Sequence, residues 1–397
     1  MKKKLIFMMI NMNVGGTEKA LLNMIEAIPK EQFDITILML EKYGGFLNSI
    51  PQEVHIEYLE GYKEMKEVLN NPPQRTALGL LRQGRVVRAI NIMFLHLICK
   101  LIKNRKFFFN YVLKNHSLIN DQFDAAVAYA GPMEFISFFV LHKIKAKKKI
   151  QWVHFDVTKI GFNPQYESAS YKKFDQICVV SNEGRNKLIQ LIPELKDKTE
   201  VFSNIVSSEL IHRLADEGPG FKDNFNGLRI LTVGRLTSEK GHDLAIRVMS
   251  KLVQNGYKVK WYCVGEGSSR KRYEELVKEY SIQDNFIFLG SDPNPYPYMK
   301  QCDIYVQPSR HEGFCITLAE ARCLKKPIVT TNFTGAKEQI RDGETGLIVG
   351  VDENELYEGI VKLINDNELC DRFNRNLGMI KINHQMESDK LYKLLSV

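Results

Sequence analysis

The sequence lacks the features that mark several large classes of protein. No stretch reaches the ~18 uninterrupted apolar residues that a membrane-spanning helix requires. The N-terminal apolar run ends at Asn11 and no small-residue cleavage site follows, so a buried first strand is a better interpretation than a secretory signal. The seven cysteines are far apart and form no CxxC pair, which favours buried thiols in a reducing cytoplasm. An apolar content of 44% argues against a disordered polymer, and 397 residues favour two domains.

Sequence motifs for metal binding are also missing. The chain contains no Asp-x-Asp, no HExxH and no paired CxxC. We therefore expect neither a metal nor another cofactor. A diphosphate would then have to be stabilised by arginine, lysine and helix N-termini.

Positive charge is concentrated in the first half of the chain. Residues 1–205 hold 29 Lys and Arg against 20 Asp and Glu, a balance of +9, so the remainder carries 8 − 9 = −1. Residues 61–118 contain 11 basic residues and only two acidic ones, Glu64 and Glu67. The first half is therefore predicted to face an anionic partner.

The basic segment at residues 82–109 has the pattern of an amphipathic helix. It can lie on anionic lipid, or its apolar stripe can be core while the cations are solvated, and both interpretations stay open. The lysine-rich run at residues 143–149 predicts a solvated loop. The apolar stripe consists of Val86, Ile90, Met93, Phe94, Leu97 and Leu101.

Apolar runs alternate with helical stretches along the chain, most regularly from Leu228 onward. This pattern predicts parallel sheets with helical crossovers. We predict two Rossmann-like α/β domains, at residues 1–205 and 206–375, and the Gly-, Asp- and Asn-rich segment 215–227 is interpreted as the connector that leads into the second sheet. Their strand ends would face each other across a cleft.

The segment VGRLTSEKG ends a strand in glycine and places two cations around a turn before a helix. Arg235 can donate two hydrogen bonds to phosphate oxygens and Lys240 supplies a compact charge, so Gly234, Arg235 and Lys240 would suit a diphosphate. Two solvated surface cations are the simpler alternative.

A second constellation is SRHEGFCITLAEA, where Glu312 precedes a predicted helix and Glu320 lies inside it. Gly313 allows a close approach of the backbone to a ligand, and carboxylates accept hydrogen bonds from sugar hydroxyls. Two surface glutamates are the alternative, although their position after a strand end favours a site.

The two elements together resemble a known family. Residues 228–349 look like the donor domain of the retaining GT-B glycosyltransferases, in particular glycosyltransferase family 4, in both GR-x-x-x-x-KG and E-x7-E. The resemblance implies that Arg235 and Lys240 bind the donor diphosphate, Glu312 the transferred sugar and Glu320 the ribose. The family often has Gly or Pro where this chain has Cys315.

The resemblance extends to further loops. It implies donor contacts for Gly265 in the VGxG turn, for Ser291 near the base, and for the residues that follow Glu312, and it implies that a C-terminal helix at about residues 376–397 packs back on the first domain. The N-terminal GG-x-E loop is similar to the family's loop over phosphate or sugar. The additional donor-binding residues are Gly15, Gly16, Gly265, Ser291, Gly313, Phe314 and Cys315.

His154 and Asp156 lie at the end of a strand candidate, where side chains enter the predicted cleft. A lone histidine is more often structural. Related enzymes carry an active-site histidine at an equivalent strand end, so we expect His154 to position or polarise the sugar. Asp156 is a weaker candidate on the acceptor side.

The resemblance implies a metal-independent transfer that retains anomeric configuration, from a nucleotide diphosphate sugar, with UDP favoured, to a lipid-linked or polymeric acceptor. We expect a cytoplasmic enzyme at the inner face of the cell membrane, acting in cell-surface polysaccharide synthesis. An isomerase or phosphorylase of the same fold is an alternative. A non-catalytic nucleic-acid binder is another, but Glu312 and Glu320 argue against it because carboxylates repel phosphate backbones.

Overall fold

The computed structural model describes residues 2–131, 133–380 and 384–395 and shows two parallel β-sheets flanked by helices. The strands of the first sheet are β1 (Lys3–Met9), β2 (Phe33–Met39), β3 (His55–Tyr58), β4 (Ile119–Gly131), β5 (Ile144–Val153), β6 (Gln176–Val179) and β7 (Thr199–Val201). Those of the second are β8 (Leu228–Val233), β9 (Val259–Val264), β10 (Phe286–Gly290), β11 (Ile304–Gln307), β12 (Ile328–Thr331) and β13 (Leu347–Val349).

Helices connect successive strands, as parallel pairing requires. The first half contains α1 (Gly16–Ala27), α2 (Tyr62–Asn70), α3 (Pro73–Arg82), α4 (Val86–Ile102), α5 (Lys106–Val112), α6 (Glu134–Lys143), α7 (Pro164–Tyr171) and α8 (Asn182–Leu191). The second contains α9 (Ser208–Ala215), α10 (His242–Gln254), α11 (Arg270–Glu279), α12 (Tyr296–Gln301), α13 (Ile316–Cys323), α14 (Ala336–Gln339), α15 (Glu353–Asn365), α16 (Asn367–Met379) and α17 (His384–Leu395).

The strands are apolar because both faces of each sheet are covered. In β1, Leu5, Phe7 and Met9 pack into the core on one face, and Ile6 and Met8 pack into the core on the other. This alternation follows from the two-residue period of a strand. A strand buried on both faces has an uninterrupted apolar sequence, as Leu5–Met9 of β1 shows.

The strand order creates a crevice in each sheet. The first sheet runs β3-β2-β1-β4-β5-β6-β7 and the second β10-β9-β8-β11-β12-β13, with parallel pairing throughout the described residues. Chain order reverses between β1 and β4, and again between β8 and β11. Ligands of doubly wound sheets bind outside the carboxyl ends of the strands at such reversals. The predicted pair of Rossmann-like domains is confirmed.

The C-terminal helix returns to the first domain. On α17, Leu391, Leu394 and Leu395 are buried in the core beside β1, and Lys148 Nζ donates a hydrogen bond to the Leu394 carbonyl at 2.9 Å. The helix begins at His384 rather than near residue 376, which lies within α16. The boundary between residues 205 and 206 stays a prediction; α9, which follows it, packs into the core of the second domain.

Two basic segments now have defined structures. The stripe of α4 is solvent-exposed, with Ile90 61% and Leu101 74% exposed, which excludes the interpretation that it is core.

The prediction of a loop at residues 143–149 is wrong, because α6 ends at Lys143 and β5 begins at the next residue. Lysines are tolerated there because the start of β5 reaches the surface, where Lys147 forms an ion pair with Asp124 at 2.6 Å.

Candidate functional site

The two crevices face each other, and two of the predicted glycines, Gly16 and Gly313, lie where the domains meet. A Cβ atom on Gly313 would lie 1.9 Å from the carbonyl oxygen of His154, so only glycine fits between the loop after β11 and the end of β5. A Cβ on Gly16, at the start of α1, would lie 3.5 Å from the side chain of Ile316 at the start of α13. Gly16 and the backbone of His154, both in the first domain, therefore lie against residues 313–316 of the second.

Lys240 and Glu312 form an ion pair on the second domain. Lys240 Nζ donates to Glu312 Oε1 at 2.6 Å, and the two side chains are 16% and 9% exposed. Ser309 Oγ donates to the same oxygen at 2.8 Å. No donor among the described residues bonds to Glu312 Oε2, so this oxygen can accept a hydrogen bond from a ligand.

A chain of hydrogen bonds behind Glu312 positions it. Gln307 Nε2 donates to Ser309 Oγ at 2.8 Å, and Tyr305 Oη donates to Gln307 Oε1 at 2.8 Å. These groups lie in or just after β11 and are fully buried. A carboxylate held in this way loses little freedom when it binds a hydroxyl.

Arg235 is more exposed to solvent than Lys240, the other residue predicted to bind the diphosphate. It follows Gly234 at the end of β8, its side chain is 49% exposed, and its guanidinium lies 3.6 Å from Glu239. A surface pair of this kind is weak, so Arg235 can turn to a phosphate without a large loss. The nearby Gly265 has φ +151°, and a Cβ there would lie 2.0 Å from the Gly234 carbonyl oxygen.

Glu320 is buried on α13. Its carboxylate accepts a hydrogen bond from Tyr296 Oη at 2.7 Å. Burial raises the pKa of Glu320, while Lys19 and Tyr296 act in the opposite direction. Lys19 belongs to α1 of the first domain and lies 5.3 Å from the centroid of the Tyr296 ring. Sequence patterns carried no signal for the contact between Lys19 and Tyr296, because it joins residues that are 277 positions apart (296 − 19).

His154 is buried and neutral. Burial lowers its pKa to about 3, against the effect of a hydrogen bond to the backbone of Tyr129. Its Nε2 has no partner among the described residues, and neither has the hydroxyl of Tyr129, whose ring centroid is 4.5 Å away. Since Nε2 is unpaired, the neutral ring can accept a hydrogen bond from a ligand hydroxyl.

Glu18 is a further titratable group that motif reasoning left without a role. It lies in the first turn of α1, beside Gly15, where a Cβ would be 2.5 Å from the Glu18 carboxylate. Burial raises its pKa to about 7, although its own backbone and Arg235 lower it. The interaction with Arg235 places this first-domain carboxyl near the predicted diphosphate position on the second domain.

Asp156 is engaged in a contact between the domains. Its Oδ2 accepts hydrogen bonds from Lys187 Nζ at 2.8 Å and from Thr334 Oγ1 at 2.7 Å. Burial raises the pKa of this carboxyl, but the bonds from Lys187, Thr158 and Thr334 outweigh it and lower the pKa to about 2. An acceptor-side role for Asp156 stays a prediction, and the visible role is to join the two domains.

A second carboxylate also joins the domains. Glu338 accepts hydrogen bonds from the backbone N–H groups of Asn182 and Glu183, each at 3.0 Å, at the start of α8. An acidic side chain stabilises a helix N-terminus, and this one comes from the opposite domain.

The remaining predicted residues differ in their surroundings. Phe314 packs against the hydrophobic cores of both domains, and Cys315 is buried with φ +63° at the start of α13. Ser291, after β10, is exposed, and no side-chain contact connects it to the other predicted residues. Within the described residues no three His, Cys, Asp or Glu side chains are grouped so that they could hold a metal ion.

The two facing Rossmann-like domains have the GT-B architecture. Residues 221–377 match the family model described as "Glycosyl transferases group 1". This match covers 157 of the 397 residues and agrees with the family that the Arg235–Lys240 and Glu312–Glu320 elements resemble.

Two curated relatives match part of the chain. One is the N-acetylgalactosamine-N,N'-diacetylbacillosaminyl-diphospho-undecaprenol 4-alpha-N-acetylgalactosaminyltransferase of Campylobacter jejuni, 34% identical over 51% of this chain and 54% of that protein. The other is the capsular polysaccharide biosynthesis glycosyltransferase CapM of Staphylococcus aureus, 32% identical over 41% and 43%. The chain thus spans about half the length of these relatives.

The whole fold has counterparts among solved structures. Anabaena HepE in complex with UDP matches over 99% of both chains with a TM-score of 0.69 at 16% identity. At this identity the likeness shows the fold. None of the helices in the described part of this chain is long and apolar enough to cross a bilayer.

Proposed function

We propose that this protein transfers a sugar, with retention of anomeric configuration and without a metal, from a UDP-sugar to a lipid-linked or polymeric acceptor in cell-surface polysaccharide synthesis. The observation that carries the proposal is the Lys240–Glu312 ion pair, one residue before Gly313, the glycine that approaches the His154 backbone of the other domain. In this proposal the Lys240 cation, the Glu312 carboxylate as acceptor for a sugar hydroxyl and the neutral His154 imidazole act on a donor bound between the domains.

Charge stabilisation is assigned to the second domain. As the bond between sugar and diphosphate breaks, negative charge grows on the diphosphate, and Lys240 and Arg235 stabilise it. Lys240 must exchange part of its contact with Glu312 for phosphate. This exchange leaves Glu312 free to accept hydrogen bonds from the sugar, so binding of the two parts of the donor is coupled.

Retention follows if the acceptor hydroxyl attacks on the face from which the diphosphate leaves. The departing phosphate oxygen then takes the proton of the acceptor hydroxyl. His154, whose low pKa keeps it neutral, accepts a hydrogen bond from the sugar through Nε2 and orients it. The protein contributes position and charge rather than a dedicated base.

The relatives support the acceptor and donor classes. The name of the Campylobacter jejuni relative describes an acceptor carried on diphospho-undecaprenol, and the HepE structure contains UDP. With the cationic first half, this supports an enzyme at the cytoplasmic face of an anionic membrane. The membrane location is part of the proposal.

The test is a transfer assay with a panel of UDP- and GDP-sugars and a lipid extract, with and without EDTA. We expect acceptor-dependent release of nucleoside diphosphate from one donor, unaffected by EDTA and lost in Lys240→Ala and Glu312→Gln. Lys271→Ala, at an exposed position of α11, is the matched control. Product NMR reports the anomeric configuration.

Two results would overturn parts of the proposal. Donor turnover that does not require an acceptor would indicate an isomerase or hydrolase. Absence of both turnover and donor binding would refute the transferase itself.

A further inference from the structure

Helices α3 and α4 form a hairpin on the surface of the first domain. Only residues 83–85 separate them, and they pack along each other. Ala89, Ile92 and Cys99 are buried on the inner side of α4, and Ala77 on α3. The inner side of the hairpin therefore packs against the rest of the first domain.

The outer side is apolar and exposed to solvent. Six large apolar side chains of α4 recur every three or four residues and lie away from the buried positions. An exposed apolar face of this extent marks an interaction surface on a soluble domain. The exposed fractions on α4 are Val87 72%, Ile90 61%, Met93 38%, Phe94 60%, Leu97 55% and Leu101 74%, and on α3 they are Leu78 52% and Leu81 46%.

Unpaired cations surround this face. Arg75, Arg82, Arg85, Arg88, Lys100 and Lys103 are exposed, and none forms an ion pair with another described residue. Two other cations of the same region are neutralised, since Lys66 pairs with Glu41 and Arg105 with Glu134. The six positive charges of Arg75, Arg82, Arg85, Arg88, Lys100 and Lys103 have no ion-pair partner within the described part of the chain.

We propose that the outer face of the α3–α4 hairpin binds an anionic lipid bilayer, with the apolar side chains at the level of the acyl chains and the cations on the headgroups. An anionic bilayer interacts with both parts of this face: burial of the apolar side chains gives affinity, and the cations add attraction to the anionic lipid. A second copy of the chain would bring like charges together, and a nucleic acid would leave the apolar side chains in water. The proposal rests on the proposed function for the lipid-linked acceptor and the membrane location, and it assigns that location to one surface.

The experiment uses the full chain and co-sedimentation with vesicles of phosphatidylcholine, with and without phosphatidylglycerol. One variant, Ile90→Gln/Phe94→Gln/Leu97→Gln, removes apolar contact while keeping good helix formers. A second, Arg85→Glu/Arg88→Glu, reverses charge. The matched control is Lys271→Glu/Lys278→Glu on α11, which makes the same change in net charge on the other domain.

We expect the wild type to bind only the vesicles that contain phosphatidylglycerol, more weakly as salt rises. Each hairpin variant should lower the partition coefficient by about ten-fold or more, and the control by less than about two-fold. Circular dichroism and UDP binding should be unchanged in all variants. UDP binding separates failure of this proposal from failure of the proposed function.

Equal vesicle binding by wild type and both hairpin variants would overturn the proposal. So would binding that is independent of phosphatidylglycerol, or no vesicle binding by a wild type that binds UDP. A dimer of the wild type that the Gln variant dissociates, without an effect of lipid, would instead assign this face to contact between copies.

Discussion

The closest approach of the two domains offers a direct test of the site. Gly313→Ala adds one methyl group, and its Cβ would lie 1.9 Å from the His154 carbonyl oxygen. Ordinary contacts of a Cβ begin at 3.4 Å, so the loops must separate by about 1.5 Å (3.4 − 1.9). The clash involves two backbones, and rotation of a side chain does not relieve it.

The expected effect is on turnover more than on stability. A displacement of about 1 Å between reacting groups can lower the rate about 100-fold, so kcat should fall by that order. The clash lies between domains rather than within a core, and a slight opening relieves it. The thermal transition should therefore move by no more than a few degrees, and UDP should still bind the second domain within a few-fold.

The assay combines kcat in the transfer reaction, calorimetric binding of UDP and the radius of gyration from X-ray scattering. Gly79→Ala is the control, because a Cβ at Gly79 has no neighbour within 4 Å and its φ is not positive. Wild-type turnover and an unchanged radius of gyration in Gly313→Ala would refute this account of the closed site.

Three further outcomes follow from single groups. Because Glu18 has a raised pKa of about 7, stability should fall as pH rises from 4.5 through 7, and Glu18→Gln should flatten both this slope and an inflection in kcat near neutral pH. Asp156 has the opposite shift, to about 2, so its contribution of about 2 kcal/mol is present above pH 3.8 and lost as pH falls towards 2. Thr334→Val should lower the free energy of unfolding by about 1 to 3 kcal/mol at pH 7 and by less below pH 3, as measured by urea titration. Cys315 has φ +63°, so Cys315→Gly should change the free energy of unfolding by less than about 1 kcal/mol. The β-branched Cys315→Val should lower it by more. Equal thermal transitions for the two variants would contradict the strain argument.

Periodicity and local motifs predicted most of the fold and part of the site. The buried strands were visible because apolar side chains fill both faces of each sheet, and Lys240 and Glu312 were visible because each lies in a short motif at a strand end. Their contact, across 72 positions, follows from adjacent strands β8 and β11. Neighbouring strands bring such distant motifs together without any sign in the local sequence.

Other features depend on tertiary contacts that no local pattern encodes. Lys19 reaches Tyr296 only because the two domains close on each other. The start of β5 was predicted as a loop because Lys145 and Lys147 outweigh its few apolar residues, yet backbone pairing with β4 extends it as a strand. The exposure of Ile90 could not be decided either, because an amphipathic stripe has the same sequence whether it meets a core or another surface.

The return of α17 to the first domain means that the chain passes between the domains twice. The first passage follows β7 and the second follows α16. Two covalent links restrict the relative motion of the domains more than one link would. Rotation about the line that joins the links strains neither of them, whereas rotation about other axes strains at least one. We therefore expect the cleft to open mainly about that line, with the loops that carry His154 and Gly313 moving apart.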